Sequence, residues 1–248
     1  MTELAINLLA TIIAGTSVWL AQRIYRFRTL ARRRAFFGLE AKSVAMIGVS
    51  RHAASTLPQS VERQDLAAVV DVAVLIRECG ALPDIVAPDG GGRGVGRATE
   101  FCIGGPHSNK RTATHLKSLV RGVRIEPYEA DKESLTIHVG SKAFRRVRGS
   151  EEFVLIARIV SPRPRLPLWL ICGQTARSNH AATRYLATEH PLLSRTYGTD
   201  KSFCIALRLI EPDVYGIDQI ELIADVTVEA FQERADGNAG ARPSLDSP

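Results

Sequence analysis

The first apolar stretch covers residues 4–21, LAINLLATIIAGTSVWLA, opened by Leu4 and closed by Ala21, with no charge and only Asn7, Thr11, Thr16 and Ser17 as polar interruptions. At the helical rise per residue, this length just spans a hydrocarbon core. Trp19 and Tyr25 fall where an interfacial aromatic belt belongs. Six arginines follow, at 23, 26, 28, 32, 33 and 34, and no Lys or Arg precedes the run. A cleaved secretory signal has the opposite order, so the pattern predicts an uncleaved transmembrane anchor at residues 1–22 and a basic juxtamembrane stem at 23–42. The positive-inside rule then predicts a single-pass protein of the cell membrane, with its N-terminus outside and its soluble domain in the cytoplasm. The arginines also suit anionic lipid headgroups.

Beyond the stem, residues 43–231 alternate between short apolar runs and helical periodicity. Residues 43–49 (SVAMIGV) form a continuous apolar run of the buried-strand type. Between 60 and 79, Val61, Leu66, Val69, Val70, Ala73, Val74 and Ile76 recur at helical spacing, with Ser60 as expected N-cap and Gly80 at the C-terminal end. Strands are predicted at 84–87 and 100–103, then a glycine-rich turn opening a helix that runs to about Val120 and is closed by Gly122. Shorter β-like runs follow at 123–127, 134–139 and 153–161, joined by the proline-stiffened SPRPRLP. Residues 168–172 (LWLIC) restore the buried-strand signature and lead into another helix, and the last strands are expected at 202–210 and 219–228. The pattern is that of an α/β fold, a Rossmann-like layered sheet with mixed strands, divisible into subdomains at about 43–122 and 123–231. The tail, 232–248, is rich in Gly, Pro, Ser and Asp and is expected to be disordered.

Charge changes this picture in one respect. The net charge of +6 suggests nucleic acid, but residues 1–42 hold seven basic and two acidic residues, so nearly all of the excess sits in the stem. The soluble domain lacks the basic footprint that phosphate-driven binding needs, which argues against a nucleic-acid partner. The excess of arginine over lysine reads as a GC-rich bacterial coding sequence. Cys79, Cys102, Cys172 and Cys204 form no C-x-x-C pair and read as reduced core thiols.

Two strand–turn–helix units echo one another. Placing 102–116 over 172–186 matches Cys102 with Cys172, Ser108 with Ser178, Asn109 with Asn179 and Leu116 with Leu186. Each unit sets a Ser-Asn pair where the carboxyl end of a strand hands over to a helix, and there backbone N–H groups and the helix dipole favour anions. The candidate ligand-binding residues are Gly104, Gly105, Ser108, Asn109, Gly173, Ser178 and Asn179, suited to phosphate, ribose or carboxylate oxygens. The competing reading is that Ser and Asn are simply good helix caps. Residues 90–96 (GGGRGVG) lack the dinucleotide-binding spacing, and the P-loop, H-E-x-x-H and G-x-S-x-G motifs are absent. The histidines show no metal spacing on one helix, so no metal ligands and no cofactor are assigned. His107 and His180 flank the Ser-Asn pairs, Asp65 and Asp71 sit in the first long helix of the domain, and Trp169 reads as core.

Three functions compete. The first is a membrane-anchored sensor or regulatory domain that binds a nucleotide or similar small anion without turnover. The second is a nucleotide- or nucleoside-acting hydrolase or transferase using Glu100 or Asp65 with a nearby histidine. The third is a non-catalytic membrane protein that docks another chain through SPRPRLP and the tail.

Overall fold

The apolar runs around 45, 101, 155, 170 and 205 lie side by side in one sheet, and their alternating side chains fill two separate cores. The computed structural model describes residues 2–52, 55–57, 60–87, 96–127, 135–161 and 166–232, with side chains from residue 15 onward. Most of the glycine-rich loop after residue 87, the centre of SPRPRLP, the tail from 233 and the side chains of the first fourteen residues lie outside that description.

Helix α1 (Thr2–Phe37) leads to strand β1 (Val44–Gly48), helix α2 (Arg63–Glu78) and strands β2 (Leu82–Val86) and β3 (Thr99–Ile103). Helix α3 (Lys110–Leu119) precedes three short strands, β4 (Val123–Ile125), β5 (Ile137–Val139) and β6 (Lys142–Phe144), and the long β7 (Glu151–Val160). The chain continues through β8 (Pro167–Gly173), α4 (Ala176–Tyr197), β9 (Phe203–Ile210), the single turn α5 (Pro212–Tyr215), β10 (Ile220–Asp225) and α6 (Thr227–Phe231).

Seven strands form one sheet in the order β10-β9-β7-β8-β3-β1-β2, and β4, β5 and β6 form a small antiparallel one. The half containing β2, β1, β3 and β8 is parallel, whereas β7 runs antiparallel to β8, β9 to β7 and β10 to β9. The large sheet therefore joins strands from both sides of residue 122.

One face carries Ala45, Ile47, Phe101, Ile103, Trp169, Ile171, Ile156 and Ile205, covered by α2, α4 and the end of α1. The other carries Cys102, Leu170, Cys172, Leu155 and Cys204, covered by α3, α6 and the small sheet. Burial on both faces explains why these strands read as unbroken apolar runs.

Several boundaries differ from those read in the sequence. Glu62, not Ser60, caps α2, because its carboxylate accepts from the Gln64 N–H. Helix α3 runs to Leu119 with Val120 as its C-cap, close to the expected end, but Gly122 is needed for close approach: a Cβ there meets the Glu229 carbonyl oxygen of α6 at 1.8 Å. The last apolar run divides into β10 and α6, and β6 is an additional strand.

Helix α1 is attached to the domain at its C-terminal end. Phe36, Phe37 and Leu39 are buried, Arg33 pairs with Glu78 at 2.7 Å, and Arg34 Nε donates to the Cys79 carbonyl at 2.6 Å. From residue 15 to 29 the side chains are exposed, among them Val18, Trp19, Leu20, Ile24, Tyr25 and Phe27. Among the described residues no helix is long and apolar enough to cross a membrane, and most of the run that suggested a span lies in the first fourteen.

Candidate functional site

The carboxyl ends of the parallel strands converge at one edge of the sheet. From β1 the chain passes through α2 to β2 on one side, while β3 lies on the other side of β1. Loops leaving β1 and β3 flank this change of strand order, the place where open α/β sheets usually receive ligands. The β8–α4 turn adjoins it, with a Cβ at Gly105 only 3.6 Å from the Gly173 carbonyl oxygen.

The structure brings the expected Gly, Ser and Asn residues together here, with most of their polar groups turned inward. Asn109 caps α3: its Oδ1 accepts from the Arg111 and Thr112 N–H groups at 3.0 and 3.2 Å. Its Nδ2 donates to the carbonyls of Ile103 and Gly48 at 3.1 and 3.4 Å, joining the ends of β3 and β1. Ser108 Oγ donates to the Gly105 carbonyl, and its own carbonyl accepts from the Arg51 N–H at 2.8 Å.

In the second unit Thr175 is the cap, and it shares a capping box with Ser178. Asn179 lies one turn into α4, accepts from the Gly173 N–H at 2.7 Å and donates to Asp65 Oδ1 at 2.8 Å. The two Ser-Asn pairs thus occupy different helix positions. Both asparagines nevertheless reach back six residues to their own strand end, at Ile103 and at Gly173.

The glycines follow from the same crowding. At Gly104 φ is 102°, and an added Cβ meets Ser50 Oγ at 1.5 Å; Ser50 in turn donates to the Ile103 carbonyl at 2.7 Å. At Gly173 a Cβ meets Ser178 Oγ at 2.3 Å and Asn179 Oδ1 at 2.7 Å. Gly105 alone of the three has ordinary space for a methyl group. With the asparagines committed to the fold and the Arg111 and Thr112 N–H groups bonded to Asn109, the residues at the rim are Gly105, Ser108 and the exposed His107 and Arg51.

Asp65 and Asp71 part company. Asp65 is buried, and that burial lifts its carboxyl to about 6 against the lowering hydrogen bond from Asn179. Asp71 is half-exposed and pairs with His180 Nε2 at 3.1 Å, while Gln64 Oε1 lies 2.8 Å from His180 Nδ1. His180 therefore ties α4 to α2, and burial lowers its pKa despite the Asp71 charge.

Glu100 lies beneath α3, on the opposite face of the sheet from α2 and α4. Its Oε1 sits 2.7 Å from Arg111 Nε, 3.2 Å from His115 Nε2 and 3.0 Å from Cys102 Sγ. Burial alone raises a carboxyl pKa, but the hydrogen bonds from His115, Arg111 and Cys102 outweigh it and hold Glu100 near about 2. Its three partners thus stabilise the ionised form of Glu100. Burial and the Glu100 charge push the Cys102 thiol well up.

The sequence offered Glu100 with an unspecified histidine and Cys102 as a core thiol, but not the four residues as one cluster. The signal was nevertheless present, since Glu100 and Cys102 share one face of a strand and Arg111 and His115 share one face of a helix.

No protein-family model, no curated protein and no solved structure matches this chain. Its function is argued from the arrangement alone, because a fold of this class hosts many activities.

Proposed function

We propose that this chain is a membrane-anchored cytoplasmic regulatory module that receives a nucleotide or similar small anionic ligand at the crevice between the carboxyl ends of β1 and β3. The observation that carries the reading is the reversal of strand order at β1. It puts the β1 and β3 loops on either side of one position, while the parallel pairing of β3 with β8 sets the Gly104-Gly105 turn beside the β8 turn and brings the N-termini of α3 and α4 to the same edge of the sheet. Oriented N–H groups and the positive ends of helix dipoles favour an anion there, and Arg51 adds a cation on the rim.

The role of each predicted residue divides accordingly. Gly105 and Ser108 face the ligand, while Gly104, Asn109, Gly173, Ser178 and Asn179 hold the turns in register. Anchorage rests on the uncharged run of residues 4–21, the exposed apolar and aromatic side chains from 18 to 27, and the arginines that follow them. Exposed apolar area on this scale suits a non-aqueous neighbour.

Gly105→Ala separates ligand contact from folding, because it adds a methyl group where the fold has room. A thermal-shift series on the full chain in detergent, against nucleotides, cyclic nucleotides and dinucleotides, is expected to give a ligand-dependent rise that Gly105→Ala removes without lowering the ligand-free Tm. No rise with any compound refutes ligand binding and brings the partner-docking reading forward.

A further inference from the structure

The cluster beneath α3 contains a carboxylate, a thiol and an imidazole, each presenting one atom toward the other two. Glu100 Oε1, Cys102 Sγ and His115 Nε2 all lie within 4.8 Å of one another, and all three residues are buried. Around a tetrahedral ion with bonds of about 2.0 to 2.3 Å, neighbouring ligand atoms stand roughly 3.2 to 3.6 Å apart. Two of the separations, 3.0 Å from Sγ to Oε1 and 3.2 Å from Nε2 to Oε1, need up to about half an ångström of spreading, and the third, Sγ to Nε2, lies within 4.8 Å.

Two further observations mark the place. Gly48 faces it from the neighbouring strand, and a Cβ added there lies 3.7 Å from both Cys102 Sγ and the Arg111 Cδ, so a methyl-sized space adjoins the thiol. Thr112, fully buried and one turn before His115 on the same buried face of α3, has a hydroxyl with no hydrogen-bond partner among the described residues. The buried hydroxyl, one turn from His115, gives a small fourth ligand such as water a polar partner.

We propose that Glu100, Cys102 and His115 bind a borderline-soft divalent cation of the zinc class, with a small exogenous ligand completing the tetrahedron. This site is separate from the ligand crevice and does not rest on that reading. Thiolate, imidazole and carboxylate together match the preferences of zinc, not those of magnesium or calcium. On binding, the Cys102 S–H bond breaks, its proton leaves to solvent, and the sulfur lone pair forms the bond to the metal; no oxidant or reductant takes part.

In the metal-free protein Arg111 supplies the cation opposite Glu100, at 2.7 Å and with its side chain about one-fifth exposed. Metal entry therefore moves the guanidinium outward, so Arg111 competes with the ion. The ion would pin the middle of β3 to the second turn of α3.

The test is a Co2+ titration of the untagged full chain in detergent, followed by Zn2+ displacement. One equivalent should give a sulfur-to-cobalt charge-transfer band that Zn2+ abolishes. Cys102→Ser should lose the band, His115→Ala should weaken binding at least tenfold, and Arg111→Ala should keep the band and bind at least tenfold more tightly. Absence of the band in the wild-type chain overturns the proposal whatever the folding of the variants, as does a band that survives in both Cys102→Ser and His115→Ala. Weaker binding by Arg111→Ala also counts against it, since it would make the guanidinium a support and not a competitor.

Discussion

Asn109 takes part in four hydrogen bonds from a side chain almost wholly out of solvent, two as helix cap and two as a clasp between β1 and β3. Asn109→Ala removes the cap, worth about 1 kcal/mol, and leaves buried carbonyls short of a donor at about 1 to 3 kcal/mol each. The Ile103 carbonyl keeps its bond from Ser50, so the expected loss is about 2 to 4 kcal/mol, read as a lower denaturant midpoint.

Asp65 makes the pH-dependent prediction at this scale. Its folded pKa of about 6 lies above the ordinary 3.8, so between about pH 4 and 6 the folded state holds a proton that the unfolded state has released. Stability therefore falls as pH rises through that window and stays lower above it, by an amount on the order of 3 kcal/mol. Asp65→Asn keeps an oxygen for the Asn179 amide and abolishes the titration. The variant is expected to be more stable than the parent at pH 7 and similar to it near pH 4, measured by urea denaturation across that range. A parent curve flat from pH 4 to 6 would refute this account.

At the scale of elements, the attachment of α1 turns on a buried arginine. Arg158 of β7 is fully buried and donates to the carbonyls of Phe36, Gly198 and Lys201, with Phe36, Trp169 and Phe203 rings 4.9 to 5.7 Å from its Cζ. Burial lowers its pKa to about 10, which leaves it charged at neutral pH. The guanidinium thus closes the C-terminal ends of α1 and α4 together, where cations are favoured. Arg158→Met fills much of the volume but leaves three carbonyls without this donor. A loss of about 3 kcal/mol or more is expected, with α1 more readily cleaved from the domain in limited proteolysis.

The same scale shows what periodicity reveals and what it hides. The parallel strands and long helices of the domain were legible because burial on both faces or along one stripe leaves a strong pattern. The caps were less so: Ser60 and Glu62 are both polar and two residues apart, and only the bond from Gln64 to Glu62 decides between them. Gly122 had the right position for a helix stop, but its lack of a side chain answers to α6, more than a hundred residues away.

For the whole molecule, the exposed side chains of α1 from residue 15 to 29, together with the arginines among and after them, predict how the chain partitions. The full chain is expected to float with liposomes containing anionic lipid and to resist extraction at high salt and high pH, as an embedded helix does. Release by salt alone would reduce the attachment to arginine–headgroup contacts, which salt screens.

By itself the sequence determined the α/β alternation, the buried strands, the concentration of charge in the stem and the residues gathered at the two strand ends, because each of these is written in local periodicity or composition. Only the tertiary structure decided which polar groups those ends spend on the fold. Asn179 meets Asp65 from 114 positions away, and Asn109 meets Gly48 from 61. It also assembled Glu100, Cys102, Arg111 and His115, where strand alternation and helix spacing set the directions and the packing of α3 on β3 set the distances. Hydrophobic pattern is a property of neighbours along the chain, whereas hydrogen-bond partners and metal-ligand distances depend on which elements the fold brings together.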